Sequence, residues 1–282
     1  MGAVHAHTAA SAALPQVNAP LPVRRILLVY PFAVADTYHL DTVLKGGSFV
    51  EAPLGLGYIA SYVKETLKDV QIEVFDANAL AIKHIVTHRR VDMDELWSLL
   101  RQKVAAFKPD IVGVSCLFHN IAVMAHRTCG MVKEIDPSTI VVMGGNYPAG
   151  SPEIALTDSN VDLLIFSEGE KSFTGLVEAL RHGVDPMAAV DGIASRPGAI
   201  SQLSTKRDEA ENLAANRNIR VVPKGVFAKT LDDYPWPDRS AFDMDFYATY
   251  TRHFAFRTLD RSKVRLATLT ASRGCPFKCT FC

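Results

Sequence analysis

From Arg25 to about His182 the chain alternates short β-branched runs with longer amphipathic stretches, the pattern of stacked β-α-β units around a parallel sheet. Runs at 26–30, 71–75, 111–115, 140–143 and 163–166 are predicted strands, and their continuous apolar character fits strands covered on both faces. Helical stretches are predicted between and after them, near 56–67, 93–107, 121–135, 152–156 and 170–181. The fold class this predicts is α/β, with a doubly wound, flavodoxin-like parallel sheet.

The rhythm then stops. Residues 183–263 gather turn formers, and Arg196-Pro197-Gly198 reads as a tight turn between two short strands. The segment Leu231-Asp232-Asp233-Tyr234-Pro235-Trp236-Pro237-Asp238 is too proline-rich for helix or central strand. From Val264 to Thr270 branched and small residues alternate like a new strand, which Arg273-Gly274 turns into Cys275. The expected division is a disordered tail at 1–23, an α/β domain at 24–182, a linker with short strands at 183–263, and the start of a second domain at 264–282.

Charge excludes one class of partner. With 30 basic and 30 acidic side chains, the chain lacks the broad positive field that sequence-independent nucleic-acid binding needs. Apolar runs fall far short of the roughly 20 residues that span a bilayer as a helix, so no membrane span is predicted. No Lys or Arg precedes Arg24, and Ala6 stands where a myristoylation signal needs Ser or Thr. A cytoplasmic protein is expected.

Ligands of open parallel sheets sit beyond the carboxyl ends of the strands. There the sequence places Ser115-Cys116-Leu117, Gly144-Gly145-Asn146 and Ser167-Glu168-Gly169-Glu170. Small residues let a ligand approach the backbone, and a serine hydroxyl can bond a ring nitrogen or phosphate. Taken singly, glycines after strands simply turn the chain and acidic residues at a helix start favour its dipole.

Three of the five cysteines crowd into Cys275, Cys279 and Cys282, directly after the last predicted strand. Thiolates at this spacing can hold three irons of a four-iron, four-sulfur cluster and leave the fourth open. Structural zinc wants four ligands, and no second cysteine pair exists here, with nothing in the spacing of His253 to recruit it. Cys116 and Cys129 fall in apolar regular stretches and are expected to be buried small hydrophobes.

Taken together, these motifs resemble the cobalamin-binding radical S-adenosylmethionine protein family. Ser115-x-Leu117 followed by Gly144-Gly145 is similar to the loops with which cobalamin domains clasp the nucleotide tail of the cofactor. The segment Ala52-Pro53-Leu54-Gly55-Leu56-Gly57-Tyr58-Ile59-Ala60 and the turn Glu168-Gly169-Glu170 resemble elements of the same group. The cysteine array, with Phe281 before its last member, resembles the radical S-adenosylmethionine signature.

The resemblance implies three cofactors: cobalamin at Ser115, Leu117, Gly144, Gly145, Glu168 and Gly169; a 4Fe-4S cluster on Cys275, Cys279 and Cys282; and S-adenosylmethionine on the open iron, near Phe281. It also implies a small-molecule substrate and an electron donor such as flavodoxin or ferredoxin. The expected chemistry is methyl transfer to carbon, or a related rearrangement or cyclisation.

One departure stands out. Many cobalamin domains carry Asp-x-His-x-x-Gly after the first strand, with the His on cobalt, whereas this region reads Asp36-Thr37-Tyr38-His39-Leu40-Asp41. Cobalamin is therefore expected without a protein histidine on cobalt, and His39 and His119 are weak candidates for that role. A β/α barrel needs roughly 200 residues, so 264–282 reads as the first strand of a truncated barrel and the chain alone is expected to be inactive. Two rival readings are a non-catalytic cobalamin carrier or sensor, and a flavin- or nucleotide-binding protein with a zinc-stabilised tail.

Overall fold

The computed structural model describes residues 19–33, 38–44, 50–166, 168–196, 220–221, 230–250 and 268–273. Each predicted strand run forms a strand: β1 (Arg25–Tyr30), β2 (Gln71–Asp76), β3 (Ile111–Ser115), β4 (Ile140–Gly144) and β5 (Leu163–Ile165). They pair in parallel in the order β2-β1-β3-β4-β5, the flavodoxin-like order, whose winding reverses between β1 and β3. Two strands extend this sheet: β6 (Ile193–Ser195) pairs antiparallel with β5, and β7 (Arg220–Val221) antiparallel with β6. The expected all-parallel sheet thus gains an antiparallel edge. Pro197 and Gly198, the turn expected between two short strands, lie outside the described residues.

Alternation along the strands sends neighbouring side chains to opposite faces. Ile26 and Leu28 of β1 face one helix layer with Ile111, Val142, Leu163 and Ile165, whereas Leu27 and Val29 face the other with Val112, Val114, Met143 and Leu164. The helices, in chain order, are α1 (Leu40–Leu44), α2 (Leu54–Thr66), α3 (Ala77–His88), α4 (Met93–Phe107), α5 (Ala122–Ile135), α6 (Asn146–Gly150), α7 (Pro152–Ala155), α8 (Gly169–Arg181), α9 (Pro186–Ala189) and α10 (Met244–Tyr250). Helices α2 and α8 cover the first face through Leu56, Ala60, Val63, Phe173, Leu176 and Val177. Helices α3, α4 and α5 cover the second.

Helix α3 was not anticipated from the sequence pattern. Asp76 is the last residue of β2 and also caps α3, its carboxylate accepting from the Ala79 amide at 2.8 Å, so no turn residues announce the boundary. Helix α4 matches its predicted span; Asp92 caps it, and Lys108 ends it in the left-handed region at φ 51°.

Residues 230–250 cross the carboxyl side of this framework. Tyr234 bonds Glu168 at 2.7 Å, the Asp238 amide donates to the Gly57 carbonyl at 3.0 Å, and Lys64 pairs with Asp238 at 2.5 Å. Helix α10 then docks at the end of β2, where the Tyr247 hydroxyl donates to Asp76 at 2.6 Å. Within the predicted proline-rich break, 235–238 carry no regular element, whereas Leu231–Asp233 forms a single 3-10 turn, as does Arg239–Ala241 after it. In the predicted last strand, residues 264–267 fall outside the described residues, and 268–270 carry no regular element. Among the described residues, no helix is long and apolar enough to cross a membrane.

Burial pushes the Asp76 carboxyl up to about 6, against the lowering effect of its hydrogen bonds from Tyr247 and the α3 backbone. A carboxyl raised in the folded state contributes stability that is whole below its ordinary value near 3.8 and is lost as pH rises through about 6. Asp76→Asn keeps the cap through Oδ1, turns its amide nitrogen to the Tyr247 oxygen as a donor, and cannot ionise. Urea denaturation should show the variant gaining on the wild type by roughly 2 kcal/mol between pH 4 and pH 7. A difference independent of pH would refute the buried-carboxyl account.

Candidate functional site

The carboxyl halves of β1, β3, β4 and β5, with the first turns of α2 and α8, enclose a cleft of about 380 Å³. Its floor follows from strand register. Leu28, Gly113 and Val142 stand side by side on three neighbouring strands and face the same helix layer. Gly113 lacks a side chain in the middle of this row, so Leu28 and Phe173 lean over it: a Cβ there would lie 2.7 Å from Leu28 Cδ2 and 3.3 Å from the Phe173 ring. With Ile165 these residues make an apolar floor. The volume is within the range of small-molecule sites and suits a nucleotide-sized group, while a larger ring system would have to lie outside over the rim.

The rim comes from the loops after β3 and β4. Ser115 is half-buried beside Gly144, its register partner, and Leu117, Gly145 and Asn146 continue the edge. The two loops are stitched together by backbone, with the Cys116 amide donating to the Gly144 carbonyl at 2.7 Å and the Tyr147 amide to the Cys116 carbonyl at 3.2 Å. The two glycines are there for different reasons. Gly145 has φ +109°, and a Cβ on it would lie 2.4 Å from the Cys116 carbonyl oxygen, so its backbone demands glycine. Gly144 has only the Ile165 carbonyl oxygen at 3.7 Å, so a side chain there would fit and would enter the cleft.

Across the cleft stand Gly55, Leu56, Tyr58 and Ile59 from α2, and Glu168, Gly169 and Glu170 at the start of α8. Thr270 and Arg273 line its mouth. Arg273 pairs with Glu170 at 2.6 Å and faces Glu168 at 3.8 Å. Its guanidinium lies 4.7 Å from the Tyr58 ring centre and 5.0 Å from that of Tyr234. Burial works against the Arg273 charge, but Glu170 and Glu168 together hold its pKa above the usual range. Burial and the Glu168 acceptor raise the Tyr234 phenol.

Six residues predicted for cofactor binding, Ser115, Leu117, Gly144, Gly145, Glu168 and Gly169, line this one cleft. Within the Ala52–Ala60 segment, Gly55, Leu56, Tyr58 and Ile59 also face it. Cys275, Cys279, Phe281 and Cys282 lie outside the described residues. His39 is exposed and does not line the cleft; His119 is exposed too, with Nε2 3.3 Å from the Ser151 hydroxyl and its ring edge-on to Tyr147. Cys116 and Cys129 are buried free thiols as expected, and burial pushes Cys116 up to about 12 and Cys129 well above its ordinary value. Sequence reasoning missed Gly113, Phe173 and Arg273. A glycine inside an otherwise branched strand was the available signal for the first.

Residues 47–177, which supply most of this cleft, match the B12 binding domain family. This stretch is a B12-binding domain. That finding agrees with the recognition made from the sequence. Over 273 residues and 92% of its length, the chain is 28% identical to cytidylyl-2-hydroxyethylphosphonate methyltransferase of Streptomyces wedmorensis, covering 47% of that protein. It is 24% identical to anaerobic magnesium-protoporphyrin IX monomethyl ester cyclase of Rubrivivax gelatinosus, covering 92% of this chain and 38% of the cyclase. The chain thus spans less than half the length of these curated relatives. Among solved structures, the radical S-adenosylmethionine methyltransferase TsrM from Kitasatospora setae, with cobalamin and a [4Fe-4S] cluster bound, superposes with a TM-score of 0.45 at 17% identity, over 62% of this chain and 29% of that one.

The two glycines of the B12-binding domain separate experimentally. Gly145→Ala should lower stability by about 2 kcal/mol through strain against Cys116. Gly144→Leu should stay within about 1 kcal/mol of wild type while filling the cleft and weakening cobalamin binding at least tenfold. Thermal unfolding and a visible-absorbance titration measure the two effects, and full cobalamin affinity in a folded Gly144→Leu chain would contradict the role given to this rim.

Proposed function

We propose that the chain holds cobalamin for radical S-adenosylmethionine chemistry, with the nucleotide tail of the cofactor in the cleft between the sheet and helices α2 and α8. One observation carries this reading: the glycine-centred apolar trough opens at Ser115 and Gly144, inside the stretch that matches the B12 binding domain family. Leu28, Val142, Ile165 and Phe173 exclude water around the flat base of the tail, and the Ser115 hydroxyl bonds its polar atoms. Gly144 leaves room for the tail at the rim. Leu117 and Phe118, 37% and 57% exposed, offer apolar surface beside that rim for the macrocycle outside the cleft.

When bound, cobalamin supplies a cobalt able to carry a methyl group. On this reading the base of the tail is in the cleft and away from cobalt, and His39, exposed and outside the cleft, does not replace it. Cys275, Cys279 and Cys282 would hold a 4Fe-4S cluster, and its open iron would supply the site for S-adenosylmethionine near Phe281. The domain division expected from the sequence, 24–182 for cobalamin, 183–263 for the linker and 264–282 for the start of the radical domain, belongs to the same reading. The reaction we infer is methyl transfer to a carbon of a small-molecule substrate, or a related cyclisation or rearrangement, in the cytoplasm with a flavodoxin- or ferredoxin-like electron donor. The names of the methyltransferase and cyclase relatives support this range of reactions.

Titration of the purified chain with cobalamin and with cobinamide, which lacks the tail, tests the placement. Cobalamin should bind at least tenfold more tightly, and the paramagnetic resonance of its cobalt(II) form should lack nitrogen splitting in both wild type and His39→Ala. Equal affinity for the two corrinoids would sink the placement. Splitting lost in His39→Ala would make that histidine the cobalt ligand. Anaerobic reconstitution with iron and sulfide should load about four irons per chain, and Cys275→Ala should abolish this; stoichiometric zinc instead would overturn the cluster assignment.

A further inference from the structure

We propose that Arg273 is a positioning residue, one that docks the segment leading into the cysteine array onto the mouth of the cobalamin cleft. The proposal builds on the cobalamin reading above and adds a residue that holds the two cofactor sites together.

Glu170 is only 3% exposed, so its carboxylate needs a cation or a proton, and Arg273 supplies the cation at 2.6 Å. The same guanidinium faces Glu168 and stacks on both Tyr58 and Tyr234. A planar fork is suited to meeting two carboxylates and two rings at once; lysine, a point charge, is not. Tyr234 donates to Glu168 and so belongs to the same cluster, which draws residues 39 to 215 positions distant from Arg273 into one place. A second anchor lies five residues earlier, where Arg239 donates to the Thr268 carbonyl at 2.5 Å. The segment is therefore held at both ends although it carries no regular hydrogen-bonded element.

The position of this anchor is what gives it a functional consequence. Arg273 and Thr270 line the cleft mouth, and Cys275 follows two residues later in the sequence. Two residues of chain span at most about 7 Å. Fixing Arg273 therefore confines the first thiol of the array to the neighbourhood of the cobalamin cleft. A purely stabilising ion pair would not need to be there.

Two measurements on the 282-residue chain separate this idea from the cobalamin reading. The first needs no cofactor. In hydrogen exchange, amides at 268–273 should exchange about tenfold faster in Arg273→Met and in Glu170→Gln, with β1, β3 and β4 unchanged. Arg273→Lys, which keeps the charge and loses the fork, should fall between. Unchanged exchange at 268–273 in both variants would overturn the docking role, as would equal loosening of the whole sheet.

The second measurement reads position. In a Cys279→Ser, Cys282→Ser background, with Cys116 and Cys129 buried, a nitroxide is placed on Cys275 and cob(II)alamin is added. The dipolar distance distribution between cobalt and nitroxide should be short and narrow with Arg273, and broad and longer with methionine. The exchanged pair Arg273→Glu with Glu170→Arg should narrow it again. Identical distributions with and without Arg273 would refute the positioning role. Failure of the wild-type chain to take up cob(II)alamin would instead overturn the cobalamin reading, and the exchange measurement would still decide the docking.

Discussion

The loops after β3 and β4 share backbone. The Cys116 amide donates to the Gly144 carbonyl and the Cys116 carbonyl accepts from the Tyr147 amide, while Gly145, at positive φ, brings its own Cα against that same carbonyl. No side chain fits between them, so the two loops move as one piece and the edge they present is set by covalent geometry. Everything proposed for the cleft depends on this edge, because Ser115 and Gly144 reach their places only as its two sides. Tyr147 extends the constraint into the second helix layer: its hydroxyl meets His126 Nε2 at 2.9 Å, and His126 Nδ1 meets Asp158 at 2.8 Å. The rim is thus backed by a buried ring and a hydrogen-bonded chain on the side away from the cleft.

The opposite ends of the strands are held by carboxylates. Asp110 accepts from the amides of Arg24 and Arg25 at 2.7 and 2.8 Å, tying β1 to β3 where they begin. Asp162 accepts from the Val141 amide at 2.7 Å and pairs with Lys133, also at 2.7 Å, in a buried setting. Burial raises the Asp162 carboxyl and Lys133 opposes that shift, the expected balance for a buried pair with its hydrogen bonds met. Pinning the amino ends leaves the carboxyl ends to carry glycines, a half-buried serine and an apolar trough without costing the sheet its register. In this fold stability and ligand chemistry are assigned to opposite edges.

How much of this the sequence revealed follows from the range of each interaction. Strands β1, β3, β4 and β5, buried on both faces, read as apolar runs, and the edge strand β2 as an alternating Ile72-Glu73-Val74, so all five were legible almost to the residue, as was α4 with its Asp92 cap. Helix α3 was hidden because Asp76 serves β2 and α3 at once. The rim glycines were legible as a motif, but their different reasons were not: φ +109° at Gly145 and open space at Gly144 are properties of the tertiary contact with Cys116 and Ile165. Glu168 and Glu170 read locally as helix-start acids. Their partners Tyr234 and Arg273 stand 66 and 103 residues away, a distance at which no periodicity can signal a pair.

Those distant partners belong to a stretch, residues 230–250, that does more than run past the sheet. A chain that merely connected two domains would have no reason to place Tyr234, Asp238, Phe242 and Tyr247 against α8, α2 and α3 in succession. Instead Tyr234 occupies Glu168, Asp238 holds Lys64 and the Gly57 carbonyl, and the Phe242 ring sits where a Cβ on Gly57 would come within 2.9 Å of it. The segment therefore straps α2, from Gly57 in its first turn to Lys64 in its last, and α2 forms one wall of the cleft. Its apolar contacts and charge-assisted bonds add where a single exposed ion pair would contribute little. Through Tyr234 the strap also reaches the cluster that holds Arg273. Residues 230–250 thus contact both the α2 wall of the cleft and the cluster around Arg273.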